Sequence, residues 1–189
     1  MVQDQQNNIA GSVTLVFEDS SHLPAEKIYG EELNILRKQN EKIVEISRLI
    51  IDPQYRNSKE VLVLLFNYLY IYSYFIKHYS CLTIEVNPRH TAFYQALLNF
   101  QAIGEQKPCP NVQNAPAILR YSSIVNELER LSRLTQIEKN KHSLFRYFLK
   151  PEQEKLVAYY LEKQMKPMTM EEKLYFGYSE SGVNRVVCI

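Results

Sequence analysis

The residues best suited to chemistry lie in one stretch of the chain, residues 45–60. At its start, Glu45, Ser47 and Arg48 interrupt a run that otherwise consists of Ile, Val and Leu. Such an apolar run is typical of a strand inside a sheet, where a polar group is costly unless it has a partner. The three polar side chains are therefore candidates for a functional site on a buried strand.

Glu45 has two possible roles, which the sequence leaves open. Burial would raise the pKa of its carboxyl group towards the range of a general base, whereas Arg48 nearby would lower it. The alternative is an ion pair between Glu45 and Arg48 that stabilises the sheet. Because residues 45 and 48 of a regular strand point to opposite faces, a direct pair requires a bulge.

A basic loop follows the strand, directly after Asp52-Pro53. It contains two cations, an amide and a hydroxyl: Arg56, Asn57, Ser58 and Lys59. Asn57 with Glu60 resembles a capping box, which indicates that a helix begins here. The start of a helix with cations beside it attracts phosphate. The loop therefore predicts a phosphate-bearing ligand whose reactive end lies along the strand, although simple surface charge is the alternative.

The elements around this stretch alternate between strands and helices. The strands are predicted at 9–17, 43–51, 81–86, 101–106 and 117–121, and the helices at 25–38, 58–78 and 91–100. Alternation of this kind indicates an α/β fold with an open, mixed sheet. From residue 122 onward the pattern is helical only. We therefore expect a core domain over residues 1–121 and an all-helical C-terminal extension over residues 122–189.

Composition excludes several classes of function. The 189 residues suffice for one full core, and the net charge of +1 provides no general attraction to nucleic acid or anionic lipid. The apolar run 61–76 is too short for a membrane span and predicts a buried helix. The N-terminus is too polar for a signal peptide, so we expect a cytoplasmic protein.

Cysteine and histidine spacing predicts neither a disulfide framework nor a metal site. The three cysteines show no CxxC pattern and the four histidines show no ligand spacing: Cys81, Cys109, Cys188, His22, His78, His90 and His142. Cys81 lies in an apolar strand, where a buried structural thiol is expected.

Basic residues are spread over the last third of the chain. They are Arg120, Arg130, Arg133, Lys139, Lys141, Arg146 and Lys150. The sequence leaves two interpretations open: a solvated helical face, or a docking surface for an acidic partner.

Two motifs resemble a known group of enzymes. Asn87, Tyr94, Phe100 and Gly104, in the segment NPRHTAFYQALLNFQAIG, resemble the GNAT acyltransferase superfamily. The segments E-x-S-R (45–48) and D-P-x-Y-R (52–56) are similar to the N-acyl amino acid synthase branch, whose relatives are the acyl-homoserine-lactone autoinducer synthases. The resemblance covers about residues 9–121.

The resemblance implies a GNAT-like mixed sheet flanked by helices on both faces and an N-acyltransferase activity. It suggests Glu45 as the base and Tyr94 as the acid for the leaving thiolate, with core packing as the alternative role of Tyr94. Its other implied contacts are Ser47, Arg48 and Asn87 for the substrate, and Arg56, Asn57, Ser58 and Lys59 for the donor's phosphate. Asn87 either bonds the pantetheine arm or caps the next helix.

Two departures from the family pattern affect the expected donor and activity. The loop 56–61 has no glycine, whereas enzymes that bind a pyrophosphate use glycine to bring backbone amides close. This favours the single phosphate of an acyl carrier protein over acyl-CoA as co-substrate, with no tightly bound cofactor. Met1 falls where the family's second strand would be, so an N-terminal helix and first strand are expected to be missing.

Three functions are consistent with these features. The first is an N-acyltransferase that moves an acyl group from acyl carrier protein to the amine of an amino acid or similar small acceptor. The second is an acetyl-CoA-dependent N-acetyltransferase, and the third is a non-catalytic binding module with the same fold.

Overall fold

A computed structural model describes residues 1–19, 22–137, 144–165, 169–171 and 187–188. The strands are β1 (Val2–Gln3), β2 (Ile9–Phe17), β3 (Ile43–Ile51), β4 (Cys81–Val86), β5 (Gln101–Ala102), β6 (Lys107–Cys109), β7 (Ala115–Ser123) and β8 (Val187–Cys188). The α-helices are α1 (Glu26–Lys38), α2 (Lys59–Tyr70), α3 (Thr91–Leu98), α4 (Ile124–Ile137) and α5 (Pro151–Gln164).

The strands form the predicted mixed sheet. Their order is β1-β2-β3-β4-β7-β5, and β6 and β8 pair with β7 and β2, respectively. β3 and β4 are parallel, whereas the other strand pairs are antiparallel. A parallel pair needs a crossover connection, which α2 and its π-helical continuation Ile71–Ile76 provide.

β8 corrects the prediction that the C-terminal extension is all-helical. Its residues pair with the second half of β2, where Thr14 lies opposite Cys188 and Leu15 opposite Val187. The physical reason is that β1 is short and covers only the first part of this edge of β2, opposite Ile9 and Gly11. The remaining unpaired backbone groups can accept another strand.

The two faces of the sheet are covered by different helices. Val44 and Ile46 of β3 belong to the large core that includes the buried face of α2, whereas Ile43 belongs to a smaller core formed with α1. Side chains alternate between the faces of a strand, so Glu45 lies on the α1 face. The expected arrangement of helices on both sides of the sheet is confirmed.

The N-cap of α2 lies one residue later than predicted. Ser58, and not Asn57, is the N-cap residue, and its hydroxyl oxygen accepts a hydrogen bond from the backbone N–H of Val61 at 3.3 Å. Most of the apolar run 61–76 is buried, as expected of a core helix. No helix in the described parts of the chain is long and apolar enough to cross a membrane.

The basic residues of the last third do not share one solvated face. Arg120 is 4% exposed and Arg130 is largely covered, because both point inward and bond backbone carbonyl groups. Arg133, Arg146 and Lys150 are exposed, whereas Lys139 and Lys141 lie outside the described residues. The helix α4, which carries Arg130 and Arg133, packs into the large core through Ile124 and Leu131.

Candidate active site

A cleft opens where β3 and β4 separate. The two strands pair only from Ile43 to Ile46 and from Cys81 to Ile84, although each continues further. Beyond these residues the facing backbone groups have no partner strand and are available to a ligand. The cleft has a volume of about 400 Å³ and is lined by the ends of both strands.

A bulge in β3 shapes the mouth of this cleft. Ser12 lies opposite Ile50 and Thr14 opposite Ser47, so β3 has one extra residue between these pairs. Arg48 lies in the bulge with φ of 49°, a left-handed conformation that is uncommon for a residue with a side chain. Backbone strain of this kind is concentrated at functional sites.

Glu45 lies at the inner end of the cleft and is 3% exposed. Its Oε2 accepts a hydrogen bond of 2.9 Å from the backbone N–H of Ala25, at the start of α1. Burial raises the pKa of Glu45 to about 7, with a smaller contribution from Glu85 and Glu26, while the Ala25 hydrogen bond opposes this shift. A carboxyl group with this pKa can accept and release a proton near neutral pH.

Glu45 and Arg48 do not form the ion pair that was the alternative role for Glu45. The salt bridges among the described residues do not include this pair. Glu45 faces α1, and the exposed side chain of Arg48 lines the cleft beside Ser47. The bulge that a direct pair requires is present, but it directs Arg48 to the cleft and not to Glu45.

A second cleft, of about 770 Å³, adjoins the first. The four residues of the basic loop line it: Arg56, Asn57, Ser58 and Lys59. Its other walls are mainly apolar and include Leu62, Phe93 and Leu144. A phosphate at the start of α2 and an apolar arm along the wall would therefore fit the composition of this cleft.

Tyr94 lines both clefts and so stands at their junction. Its ring packs against Phe93 and Phe100, with centroid distances of 5.3 and 6.0 Å and edge-to-face geometry. Burial raises the pKa of its hydroxyl, which therefore remains protonated at neutral pH. The side chain thus both packs against aromatic rings and presents a proton donor to the junction.

Asn87 caps the helical turn that follows β4. Its Oδ1 accepts a hydrogen bond from the backbone N–H of Arg89, and its Nδ2 donates one of 3.1 Å to the carbonyl oxygen of Pro116. Of the two roles that the sequence left open, the structure shows the capping role. Asn87 also lines the first cleft.

Several residues of the clefts were not predicted from the sequence. Glu85 lies on the same face as Glu45, because Glu45 is opposite Thr83 in the parallel pair. It lines the first cleft and accepts a hydrogen bond from the buried thiol of Cys109. Glu85 is an acidic residue within the apolar strand CLTIEV. The same signal that indicated Glu45, a polar residue inside an apolar run, could therefore have indicated Glu85. Leu144 carries no comparable signal.

No metal-binding cluster occurs at the clefts or elsewhere in the described residues. Within those residues, no group of three or more His, Cys, Asp or Glu side chains could hold a metal ion. Cys81 is buried in β4, and burial raises the pKa of its thiol to about 12. A thiol with this pKa is a poor nucleophile at neutral pH.

Sequence comparison identifies the family. The family described as N-acyl amino acid synthase FeeM matches residues 1–122, which include both strands of the cleft, the basic loop and α3. The chain belongs to this family. An N-acyl amino acid synthase is an N-acyltransferase, so the chain is an enzyme of that class. The match favours the enzyme over the non-catalytic binding module.

The chain is also similar to solved structures. FeeM, an N-acyl amino acid synthase from uncultured soil microbes, is 28% identical, and the match covers 70% of this chain and 71% of that protein with a TM-score of 0.59. Mutant forms of the spermidine/spermine N-acetyltransferase SpeG from Vibrio cholerae are 22% identical over 68% of this chain and 64% of that protein, with a TM-score of 0.46. No curated protein sequence matches the chain.

Proposed function

We propose that the protein transfers an acyl group from the phosphopantetheine thioester of an acyl carrier protein to the amine of an amino acid or similar small acceptor. The observation that carries this proposal is the junction of the two clefts at Tyr94. One cleft contains a buried acid with a pKa of about 7, and the other contains a cation-rich helix start. Acyl transfer to an amine needs a base for the acceptor next to a binding site for the phosphate-bearing donor.

The donor occupies the second cleft in this proposal. Its phosphate lies at the start of α2, where Arg56 and Lys59 line the cleft beside the positive end of the helix dipole. Its pantetheine arm follows the apolar wall towards Tyr94. The loop has no glycine to bring amides close to a second phosphate, which favours the single phosphate of acyl carrier protein over CoA. Such a donor implies the cytoplasm as the location.

The acceptor occupies the first cleft. Arg48 has an exposed guanidinium at the mouth, which can bind the carboxylate of an amino acid, with Ser47 beside it. The ammonium group then faces the acidic inner end, where Glu45 and Glu85 lie. Asn87 shapes the cleft through its cap and its bond to β7.

The reaction proceeds by proton transfer and addition. Glu45, directly or through water, removes a proton from the ammonium, and the neutral amine attacks the thioester carbonyl. The N–H groups of β3 beyond Arg48 stabilise the resulting oxyanion. When the tetrahedral intermediate collapses, the C–S bond breaks and Tyr94 donates its proton to the departing thiolate. The second proton of the amine nitrogen passes through water to the Tyr94 oxygen, and Glu45 releases its proton to solvent, so both side chains return to their starting states. The products are an amide and the free thiol of the carrier.

The experiment that tests this function compares donors with the same acyl chain. The protein is incubated with a mixture of amino acids and either acyl carrier protein or CoA thioesters of several chain lengths, and N-acyl products are measured by mass spectrometry. We expect product from the carrier protein donor, with release of one thiol per amide. Product from CoA thioesters alone would contradict the proposed donor, and no product from either would contradict the function.

The basic loop should determine the affinity for the donor. We expect the double substitution Arg56→Ala and Lys59→Ala to raise KM for the acyl carrier protein donor by about 10- to 100-fold, because each charged contact to phosphate contributes about 1 kcal/mol or more. The value of kcat should change little. Steady-state kinetics at two salt concentrations checks this, since the wild-type KM should rise with salt more steeply than that of the variant.

Lys38→Ala is the matched control for the loop substitutions. Lys38 is an exposed cation at the end of α1, outside the residues that line either cleft. Its replacement removes a similar charge and should leave KM unchanged. An equal rise in KM for the control would mean that general charge, and not a phosphate site, attracts the donor.

A further inference from the structure

The position of Tyr94 depends on its helix, because the side chain has no polar anchor. None of the described hydrogen bonds involves the Tyr94 hydroxyl, and α3 is only eight residues long. Leu98 is the one buried side chain of this helix. Tyr94 and Leu97 pack against the large core but are only partly buried, so polar contacts add to hydrophobic burial in fixing the helix at the junction of the clefts.

Arg120 of β7 provides one such contact. It is 4% exposed, and its Nε and Nη2 donate hydrogen bonds of 3.1 and 2.6 Å to the carbonyl oxygen of Phe100. Nη2 also donates to Oε1 of Gln95 on α3, at 3.2 Å. The backbone N–H of Phe100 in turn donates to the carbonyl oxygen of Tyr94, so the end of α3 is held at the sheet.

Arg130 of α4 provides a second contact from outside the region that the family matches. Its Nη2 donates a hydrogen bond of 2.7 Å to the carbonyl oxygen of Leu97, one of the last carbonyl groups of α3. These carbonyl groups have no partner within the helix and carry its negative partial charge, which a guanidinium complements. The guanidinium also lies over the ring of Phe145, at 5.4 Å from its centroid.

Glu127 holds Arg130 in place. Its two carboxyl oxygens accept hydrogen bonds from Nε and Nη2 of Arg130, and the glutamate is 0% exposed. A buried ion pair contributes little net stability, because desolvation of both charges offsets their attraction. The geometry nevertheless leaves Nη2 of Arg130 in position to donate its other N–H to the end of α3.

We infer that Arg130, held by Glu127, is a positioning residue for Tyr94 and acts through α3. The inference rests on the proposed role of Tyr94 as the acid. It also assigns a task to α4, which follows the family's matched residues: the helix belongs to the support of the active site. Arg120 and Arg130 hold the same end of α3 from two sides, one from the sheet and one from the helical extension.

Kinetics of a double variant tests the inference. Glu127→Gln together with Arg130→Met removes both charges, so no buried carboxylate is left unpaired. We expect kcat to fall by about 10-fold or more, while KM for the donor changes by less than about threefold. In a Tyr94→Phe background, the same double substitution should lower kcat by less than about twofold, because the group that it positions is already gone.

Arg133→Met is the matched control on the same helix, since Arg133 is exposed and lines neither cleft. It should leave kcat unchanged in both backgrounds. Arg130→Lys, which keeps one donor for the Leu97 carbonyl group, should recover part of the lost kcat. An equal loss of kcat with and without the Tyr94 hydroxyl would overturn the inference, because a general loss of structure acts independently of Tyr94.

Hydrogen exchange provides a measurement that does not depend on activity. In the Glu127→Gln and Arg130→Met variant, we expect the amides of Leu98, Asn99 and Phe100 to exchange at least about 10-fold faster, with β3 unchanged. Unchanged exchange in α3 would overturn the inference even if kcat fell. If the wild-type protein transfers no acyl group, the proposed function fails, and exchange alone then decides whether Arg130 holds α3.

Discussion

Glu45→Gln should lower kcat/KM for acyl transfer by about 10² to 10⁴-fold, the usual contribution of a general base. Glutamine has the same shape and can still accept the hydrogen bond from the N–H of Ala25 through its amide oxygen, so the structure should be retained. It cannot accept a proton from the acceptor amine. Initial rates of amide formation, with acyl donor and amino acid varied separately, check this.

The pH dependence of the wild-type enzyme should report the same group. Burial raises the pKa of Glu45 to about 7, and a base must be deprotonated to act. We therefore expect kcat/KM to rise about tenfold per pH unit below pH 7 and to level off above it. The Glu45→Gln variant should lack this limb. Persistence of the limb in the variant would assign it to another group and would contradict the role of Glu45.

Replacement of Glu45 should also stabilise the protein at alkaline pH. The folded-state pKa is raised from 4.5 to about 7, so the folded state binds more protons than the unfolded state between these values. Stability is therefore lost as pH rises through this window and stays lower above it. At 1.36 kcal/mol per unit, Glu45→Gln should raise the free energy of unfolding at pH 8 by up to about 3 kcal/mol, with little change at pH 4.5.

Glu154→Gln separates this stability effect from catalysis. Glu154 is buried on α5, and burial, with a smaller contribution from Glu152, raises its pKa to about 7. It lines neither cleft, so its replacement should give the same pH-dependent stabilisation in urea unfolding and leave acyl transfer unchanged. If Glu45→Gln and Glu154→Gln both lost activity, the changes in unfolding free energy and in acyl transfer would not be independent.

Tyr94→Phe should lower kcat by about 10²-fold, with KM for the donor nearly unchanged. The ring keeps its edge-to-face contact with Phe100, so only the proton donor is removed. The loss should depend on the leaving group, because a thiolate of low pKa needs no proton to depart. Measured with an aryl thioester of the same acyl chain, the defect should therefore shrink to less than about threefold.

Tyr159→Phe is the control for this substitution, since Tyr159 is an exposed tyrosine on α5. It should have no effect with either thioester. If Tyr94→Phe slows both thioesters equally, the hydroxyl does not protonate the leaving thiolate, and the packing role of Tyr94 explains the defect.

The central elements could be predicted from the sequence because their patterns are local. The runs of β-branched and apolar residues over β2, β3 and β4 gave the observed bounds, Ile9–Phe17, Ile43–Ile51 and Cys81–Val86. Polar residues within these runs singled out Glu45. The Pro-marked exit and the cations indicated the basic loop and the helix that follows it.

The long-range features could not be predicted in this way. The Arg48 bulge depends on the register between β2 and β3, and the cleft depends on where β3 and β4 stop pairing. The inward direction of Arg120 and Arg130 depends on the position of α3, since both bond its last carbonyl groups or the loop after it. The sequence pattern of an amphipathic helix does not distinguish a basic residue that faces solvent from one that bonds a carbonyl group.

The sequence by itself therefore determined the order of the elements, the buried acid and the cationic loop, because short-range patterns specify strands, helices and turns. Only the tertiary structure decided that Glu45 accepts a hydrogen bond at the start of α1, that Arg48 turns to the cleft, and that Tyr94 joins the two clefts. Each of these depends on packing between residues far apart in the chain. The local sequence pattern of a segment does not specify which other segment it packs against.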